Sequence, residues 1–151
     1  MNFAEVINQY WGVALFTFAL GVTLVLLALK LFPRLGLMDR PLKYGLKRAP
    51  IPYYGGVVIF ATFLISVLLF VPLTNAVIGL LVGSCLLVFI GFLDDYFDVS
   101  PIVRLFVQFI AAFILVFSGV GILSINIPFF GVLHLDTAFL SAAFTILWVM
   151  A

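Results

Sequence analysis

Charged side chains are scarce in this chain, yet three aspartates and an arginine fall together in GFLDDYFDVSPIVRLFVQ, residues 91–108. Asp94 and Asp95 are adjacent, Asp98 follows three residues on, and Arg104 and Gln108 come after a Ser100–Pro101 step. Ionised carboxylates are costly to hold in or near hydrocarbon, so such a cluster beside an apolar run points to a partner or a task. Adjacent carboxylates repel each other unless a cation sits between them. Their hard oxygens suit Mg²⁺, which takes few carboxylates and completes its shell with water and substrate phosphates. Arg104 brings a planar donor fork that fits phosphate, and Gln108 lies one helical turn later on the same face. The same spacing also fits a solvated loop whose acids cap a helix and pair with Arg104.

A second stretch, LMDRPLKYGLKRAPIPYYGG at 37–56, gathers Arg40, Lys43, Lys47 and Arg48. Beside an anionic membrane surface these cations fix topology or bind lipid head groups without selectivity. Pro50 and Pro52 restrict the backbone before Tyr53, Tyr54, Gly55 and Gly56, which argues against a floppy basic tether. Paired glycines at a helix entry permit close approach of another backbone or of a ligand. His134 and Asp136 lie far along the chain and read as surface residues, and the single Cys85 as a packed side chain without a disulfide partner.

The elements that must position these groups follow from composition. With 66% hydrophobic and 9% charged residues, and a mean hydropathy of +1.39, the 151-residue chain departs far from a soluble domain and reads as an integral membrane protein. A bilayer core of about 30 Å needs about 20 apolar residues in a helix. Five stretches approach that length: 10–32, 53–71, 76–93, 101–120 and 137–151. The expected fold is therefore all-α, a polytopic transmembrane bundle of about five spans forming one domain over 1–151. Asn75 is expected to cap the third helix, and Ser100 and Pro101 to open the fourth. SINIPFFGVLHLD, 124–136, alternates around a PFFG turn and predicts a small β-hairpin between spans four and five. All seven basic residues fall on one side if the spans alternate. The positive-inside rule then puts the 33–52 and 94–100 loops in the cytoplasm, with the N-terminus and the hairpin outside.

The two motifs together resemble the polyprenyl-phosphate N-acetylhexosamine-1-phosphate transferases, the family of undecaprenyl-phosphate GlcNAc-1-phosphate transferases and phospho-MurNAc-pentapeptide translocases. Asp39, Pro41, Ile51, Pro52, Gly55 and Gly56 match an Asp-x-Pro, basic stretch, Ile-Pro-x-x-Gly-Gly pattern. Asp94 and Asp95 match the family's Asp-Asp, and Arg104 and Gln108 its downstream basic residue and glutamine. One departure is that Tyr44, Gly45, Leu46 and Lys47 stand where members commonly carry Arg-Lys-x-His, so Lys47 keeps a charge but not a titration near neutrality. Another is that members have about ten spans and further catalytic loops, so the chain is expected to be the N-terminal half of such an enzyme and inactive by itself.

The resemblance implies attack of a polyprenyl phosphate on a UDP-N-acetylhexosamine with release of UMP, for cell-envelope polysaccharide or peptidoglycan precursors, at the cytoplasmic face of the cell membrane. Asp94 and Asp95 would be catalytic and would hold Mg²⁺. Lys47, Arg48, Arg104 and Gln108 would bind substrate, and Asp39, Pro52, Gly55 and Gly56 would shape the site. Its partners would be the two substrates and membrane lipid, not nucleic acid, and a homodimer is compatible with it. A non-catalytic membrane module binding lipid phosphate or a partner subunit is the rival from another class. A cation transporter ranks last, since the three acids sit at one rim and not along a path.

Overall fold

A computed structural model describes residues 3–39, 45, 47, 49–52, 54–128 and 131–150, with side chains of the first helix described from Tyr10 onward. The described residues form α1 (Phe3–Arg34), α2 (Gly55–Phe70), α3 (Asn75–Phe97), α4 (Pro101–Phe117), β1 (Ser124–Ile127), β2 (Gly131–His134) and α5 (Ala138–Met150). The chain divides into two compact units, Met1–Val71 and Pro72–Ala151. The five apolar stretches are all helical, but their lengths differ from five equal spans. Tyr10–Arg34 and Asn75–Phe97 are long and apolar enough to cross a membrane, while α2, α4 and α5 are shorter apolar helices. The prolines and glycines around them account for this: Pro50 and Pro52 delay the start of α2, Pro72 bars its continuation, and Gly119 ends α4.

In the first unit α1 packs on α2. Thr17 Oγ1 donates to Ser66 Oγ at 3.0 Å, and the Phe16 and Phe70 rings meet edge to face at 5.1 Å. Such a hydroxyl pair between apolar helices satisfies polar groups that have no water to turn to. α1 runs through Pro33 in its last turn and stops one residue later. There Gly36 N–H donates to the Pro33 carbonyl at 3.2 Å and Leu37 N–H to the Phe32 carbonyl at 2.9 Å. Gly36 has φ +71°, so this is the paired Schellman ending, which places a left-handed residue just past the helix.

In the second unit α4 packs against both α3 and α5. The N-cap of α3 is Thr74, whose side chain accepts from Val77 N–H at 3.3 Å, with the expected cap Asn75 as the first helical residue. Threonine serves because its oxygen reaches the same unsatisfied N–H groups. Close approach of α3 and α4 depends on small residues. A Cβ added to Gly79 would run into the Ser118 side chain, and one added to Gly83 would come to 3.3 Å from the Ala111 carbonyl oxygen. Ala111 and Ala112 are 0% exposed between the helices. The hairpin pairs Ser124 with His134 through Ile127 with Gly131 in antiparallel register, as the alternation predicted. Two hydroxyls of α5 tie its base down: Ser141 Oγ donates to the Ile122 carbonyl at 2.9 Å and Ile122 N–H donates to Thr145 Oγ1 at 2.9 Å.

Gly79→Val should destabilise the α3–α4 pair by about 1–3 kcal/mol through overpacking. Combining Gly79→Ala with Ser118→Gly should recover much of the loss that Gly79→Ala causes alone. Thermal unfolding in detergent checks both, and purely additive effects would show that the two positions do not meet.

Candidate functional site

The acidic corner is built by the helix end and by the turn after it. α3 does not stop before the aspartates, as the sequence suggested, but continues to Phe97, so Asp94 and Asp95 are helical residues rather than loop residues. Successive residues on a helix point about 100° apart. Asp94 follows Ile90 and Gly83 along the buried ridge of α3 and is half-buried, while Asp95 turns outward and is exposed. Asp98 adopts the left-handed conformation, φ +52°, and its N–H donates to the Asp94 carbonyl at 2.9 Å. Aspartate tolerates this conformation better than most residues. The turn it makes returns the chain within three residues to Ser100 and Pro101, the N-cap and first residue of α4 as predicted.

That return brings Arg104 to Asp94. Arg104 Nη1 donates to Asp94 Oδ2 at 2.8 Å, with the two side chains 42% and 24% exposed. Arg104 stands on the same face of α4 as Gln108, Ala111 and Leu115, the face that packs on α3. One carboxylate of the adjacent pair is therefore matched to a guanidinium inside the corner, and the other is directed outward. Asp94 and Asp95 carry hard carboxylate oxygens; among the described residues, no group of three or more His, Cys, Asp or Glu forms a metal cage. A cleft of about 440 Å³ lies at the far end of α4, lined by Gly121, Asp136, Thr137 and Ser141. It contains none of the residues singled out for substrate or metal.

In the first unit the structure places the other motif at the entry to α2. Asp39 N–H donates to the Ile51 carbonyl at 3.0 Å, and Ile51 N–H donates back to Asp39 Oδ1 at 2.7 Å. Pro52 forms an isolated antiparallel bridge with Met38. The motif's Asp39, Ile51 and Pro52 are thus brought together, twelve and thirteen residues apart. Spacing alone could not show this pairing; the short acceptor side chain facing an Ile-Pro step is its only trace. Lys47 is exposed. Arg48 lies outside the described residues. Gly55 and Gly56 open α2, and a Cβ added at either would meet nothing within 4 Å. The close packing expected of this pair is not made with the described residues.

The sequence profile of glycosyl transferase family 4 matches residues 77–151, about half of the chain. A Sulfolobus acidocaldarius protein named as a UDP-N-acetylglucosamine–dolichyl-phosphate N-acetylglucosaminephosphotransferase is 33% identical over 102 residues, which cover 62% of this chain and 31% of that protein. An undecaprenyl-phosphate α-N-acetylglucosaminyl 1-phosphate transferase of Yersinia pestis is 34% identical over 98 residues, covering 62% of this chain and 26% of the relative. No solved structure matches. The chain belongs to glycosyl transferase family 4, as the two motifs indicated, and spans about a third or less of the length of these curated relatives.

A double-mutant cycle on Asp94→Ala and Arg104→Ala, read by denaturation in detergent, should give a coupling of about 0.5–1 kcal/mol, the range of partly exposed ion pairs. A coupling indistinguishable from zero would show that the contact is geometric without energetic weight.

Proposed function

We propose that this chain supplies the acidic corner of an enzyme that transfers a phospho-N-acetylhexosamine from a UDP-sugar to polyprenyl phosphate, releasing UMP for cell-envelope polysaccharide or peptidoglycan precursors. The observation that carries this reading is the end of α3, where Asp94 is bound to Arg104 while Asp95 is exposed beside it. The names of the two relatives both specify N-acetylglucosamine and a polyprenyl phosphate, which favours UDP-GlcNAc over other sugar nucleotides.

In the reaction an oxygen of the lipid phosphate attacks the β-phosphorus of the UDP-sugar. The bond from that phosphorus to the bridging oxygen breaks, and UMP leaves with it. Asp95, the outward carboxylate, would accept the proton of the lipid phosphate or orient it. Within the second unit Arg104 offers a cation that would hold phosphate oxygens, with Gln108 as a further substrate contact. Two carboxylates from the protein fit Mg²⁺, which takes its remaining ligands from water and phosphate, so Asp94 and Asp95 are the residues that would hold it. When bound, Mg²⁺ would neutralise charge on the pyrophosphate.

A lipid setting is supported by the outer surface. Phe18, Ile59, Ile102, Phe117 and Phe139 are between 72% and 79% exposed, a pattern that would be costly in water and is ordinary against hydrocarbon. The chain is thus read as a multi-pass protein of the cell membrane, with its N-terminus outside and the acidic corner at the cytoplasmic face.

The test is an assay of the intact protein for UMP release from UDP-GlcNAc with polyprenyl phosphate and Mg²⁺. Asp94→Asn and Asp95→Asn should each lower the rate by about 100-fold or more, as when a charge-stabilising group is removed from a transfer site. Expression in the membrane should be nearly unchanged, because rim charges contribute little to stability. Binding of polyprenyl phosphate without turnover would favour the non-catalytic module, and near-full activity of both variants would return the aspartates to a structural role.

A further inference from the structure

The hairpin of the second unit has two unlike faces. Residues paired across antiparallel strands share a face, and successive residues along a strand alternate between faces. The register therefore sets Ile125 with Leu133 and Ile127 with Gly131 on one face, and Ser124 with His134 and Asn126 with Val132 on the other. Leu135 N–H donates to the Leu123 carbonyl at 2.8 Å, which carries the pairing one step further and adds two leucines to the first face. That face then holds Leu123, Ile125, Ile127, Leu133 and Leu135, and no polar side chain. It is left open among the described residues, with Leu123 70% and Leu133 50% exposed. Its tilt is not free. Ser141 Oγ and Thr145 Oγ1 grip the carbonyl and the N–H of Ile122, directly before Leu123. Leu123 and Leu135 also line the cleft between the end of α4 and the start of α5.

A lone two-stranded hairpin is marginal in water, so an open apolar face of this kind needs cover. A stable protein interface takes about 800 Å² and roughly 20–30 residues from each partner, far more than five aliphatic side chains supply. A lipid surface sets no such minimum. The surroundings match lipid as well: Phe117 and Phe139, at the helix ends that flank the hairpin, are 76% and 79% exposed. From Phe117 to Met150 the ionisable side chains are His134 and Asp136 alone, and His134 stands on the polar face. We propose that the hairpin lies on the membrane at the end of α4 remote from Arg104, with its Leu123–Leu135 face set into the boundary of phospholipid head groups and acyl chains and its Ser124, Asn126 and His134 side chains in water. Amphipathic elements of this kind sink about 5–10 Å into that boundary. This placement rests on the membrane reading of the chain and on no activity.

The test places a small fluorophore on single cysteines of the intact protein, in a Cys85→Ala background, with the protein held in nanodiscs of phosphatidylcholine and phosphatidylglycerol. A lipid carrying a nitroxide near its head group should quench labels at Leu133→Cys and Leu123→Cys about threefold or more as strongly as labels at Asn126→Cys and Ser124→Cys. Iodide in the water should reverse the order. Phe109→Cys, midway along α4, is the reference for the membrane itself and should be shielded from iodide. Equal iodide quenching at Leu133→Cys and Asn126→Cys, with Phe109→Cys shielded, overturns the proposal by standing the hairpin in water. Labels at Leu133→Cys and Leu123→Cys that neither quencher reaches overturn it too, because a second copy or another protein then covers the face. Iodide reaching Phe109→Cys would overturn the membrane reading and the proposal together. Absence of UMP release would strike the transferase reading alone, and the quenching would still decide where the hairpin lies.

Discussion

The ion pair between Asp94 and Arg104 is the contact on which the geometry of the acidic corner depends. It can form only if α3 and α4 lie close together at the end where the aspartates stand, and the sequence arranges this twice over. Along the helices, Gly79, Gly83, Ala111 and Ala112 remove the side chains that would hold the backbones apart. At the junction, Asp98 takes the left-handed turn and Pro101 starts the next helix with a preset φ. A guanidinium three residues into α4 then meets a carboxylate three residues before the end of α3, at 2.8 Å. The energy of the pair itself is small at this exposure. Its consequence is geometric, because it makes two adjacent, chemically identical carboxylates unequal.

That inequality suits the transfer proposed above. One acid is matched by a cation and held in the corner, and its neighbour is carried about 100° around the helix to the surface. Phosphoryl chemistry relies on charges held in place more than on reactive side chains, and the first unit uses the same device in another form. At its α2 entry the carboxylate of Asp39 holds the Ile51 backbone amide. In both units, then, an aspartate of a sequence motif holds another group in place.

Much of this was legible in the sequence, and the parts that were not share a cause. The five apolar stretches, the hairpin of 124–134 and the Ser100–Pro101 start could be read because each is encoded by neighbours in the chain. The cap of α3 was misplaced by one residue, since Thr74 and Asn75 are both good caps and only the backbone decides between them. The extension of α3 through Asp94 and Asp95 is hidden because charge after an apolar run signals the end of a span, whereas the Tyr96–Phe97 pair lies within the helix one turn further on. The bond from Ile51 to Asp39, and the grip of Ser141 and Thr145 on Ile122, join residues twelve or more positions apart. Period and propensity say nothing about such pairs. Gly79 and Gly83 did carry a trace, two small residues four apart in a helix, but the choice of α4 as their partner came from the fold.

The unequal roles of the two acids are open to direct measurement through an ion that shares the ligand preferences of Mg²⁺ and can be seen. Mn²⁺ binding to the intact protein, followed by electron paramagnetic resonance in the presence of UDP-GlcNAc, reports on the carboxylates without requiring turnover. On the proposed reading Asp95 is the outward ligand and Asp94 is shared with Arg104, so Asp95→Asn should weaken Mn²⁺ by about tenfold or more and Asp94→Asn by less, since a ligand loss costs more than the loss of a group held partly by another cation. Equal Mn²⁺ affinity in the parent and in both variants would contradict a phosphate-metal role for the corner.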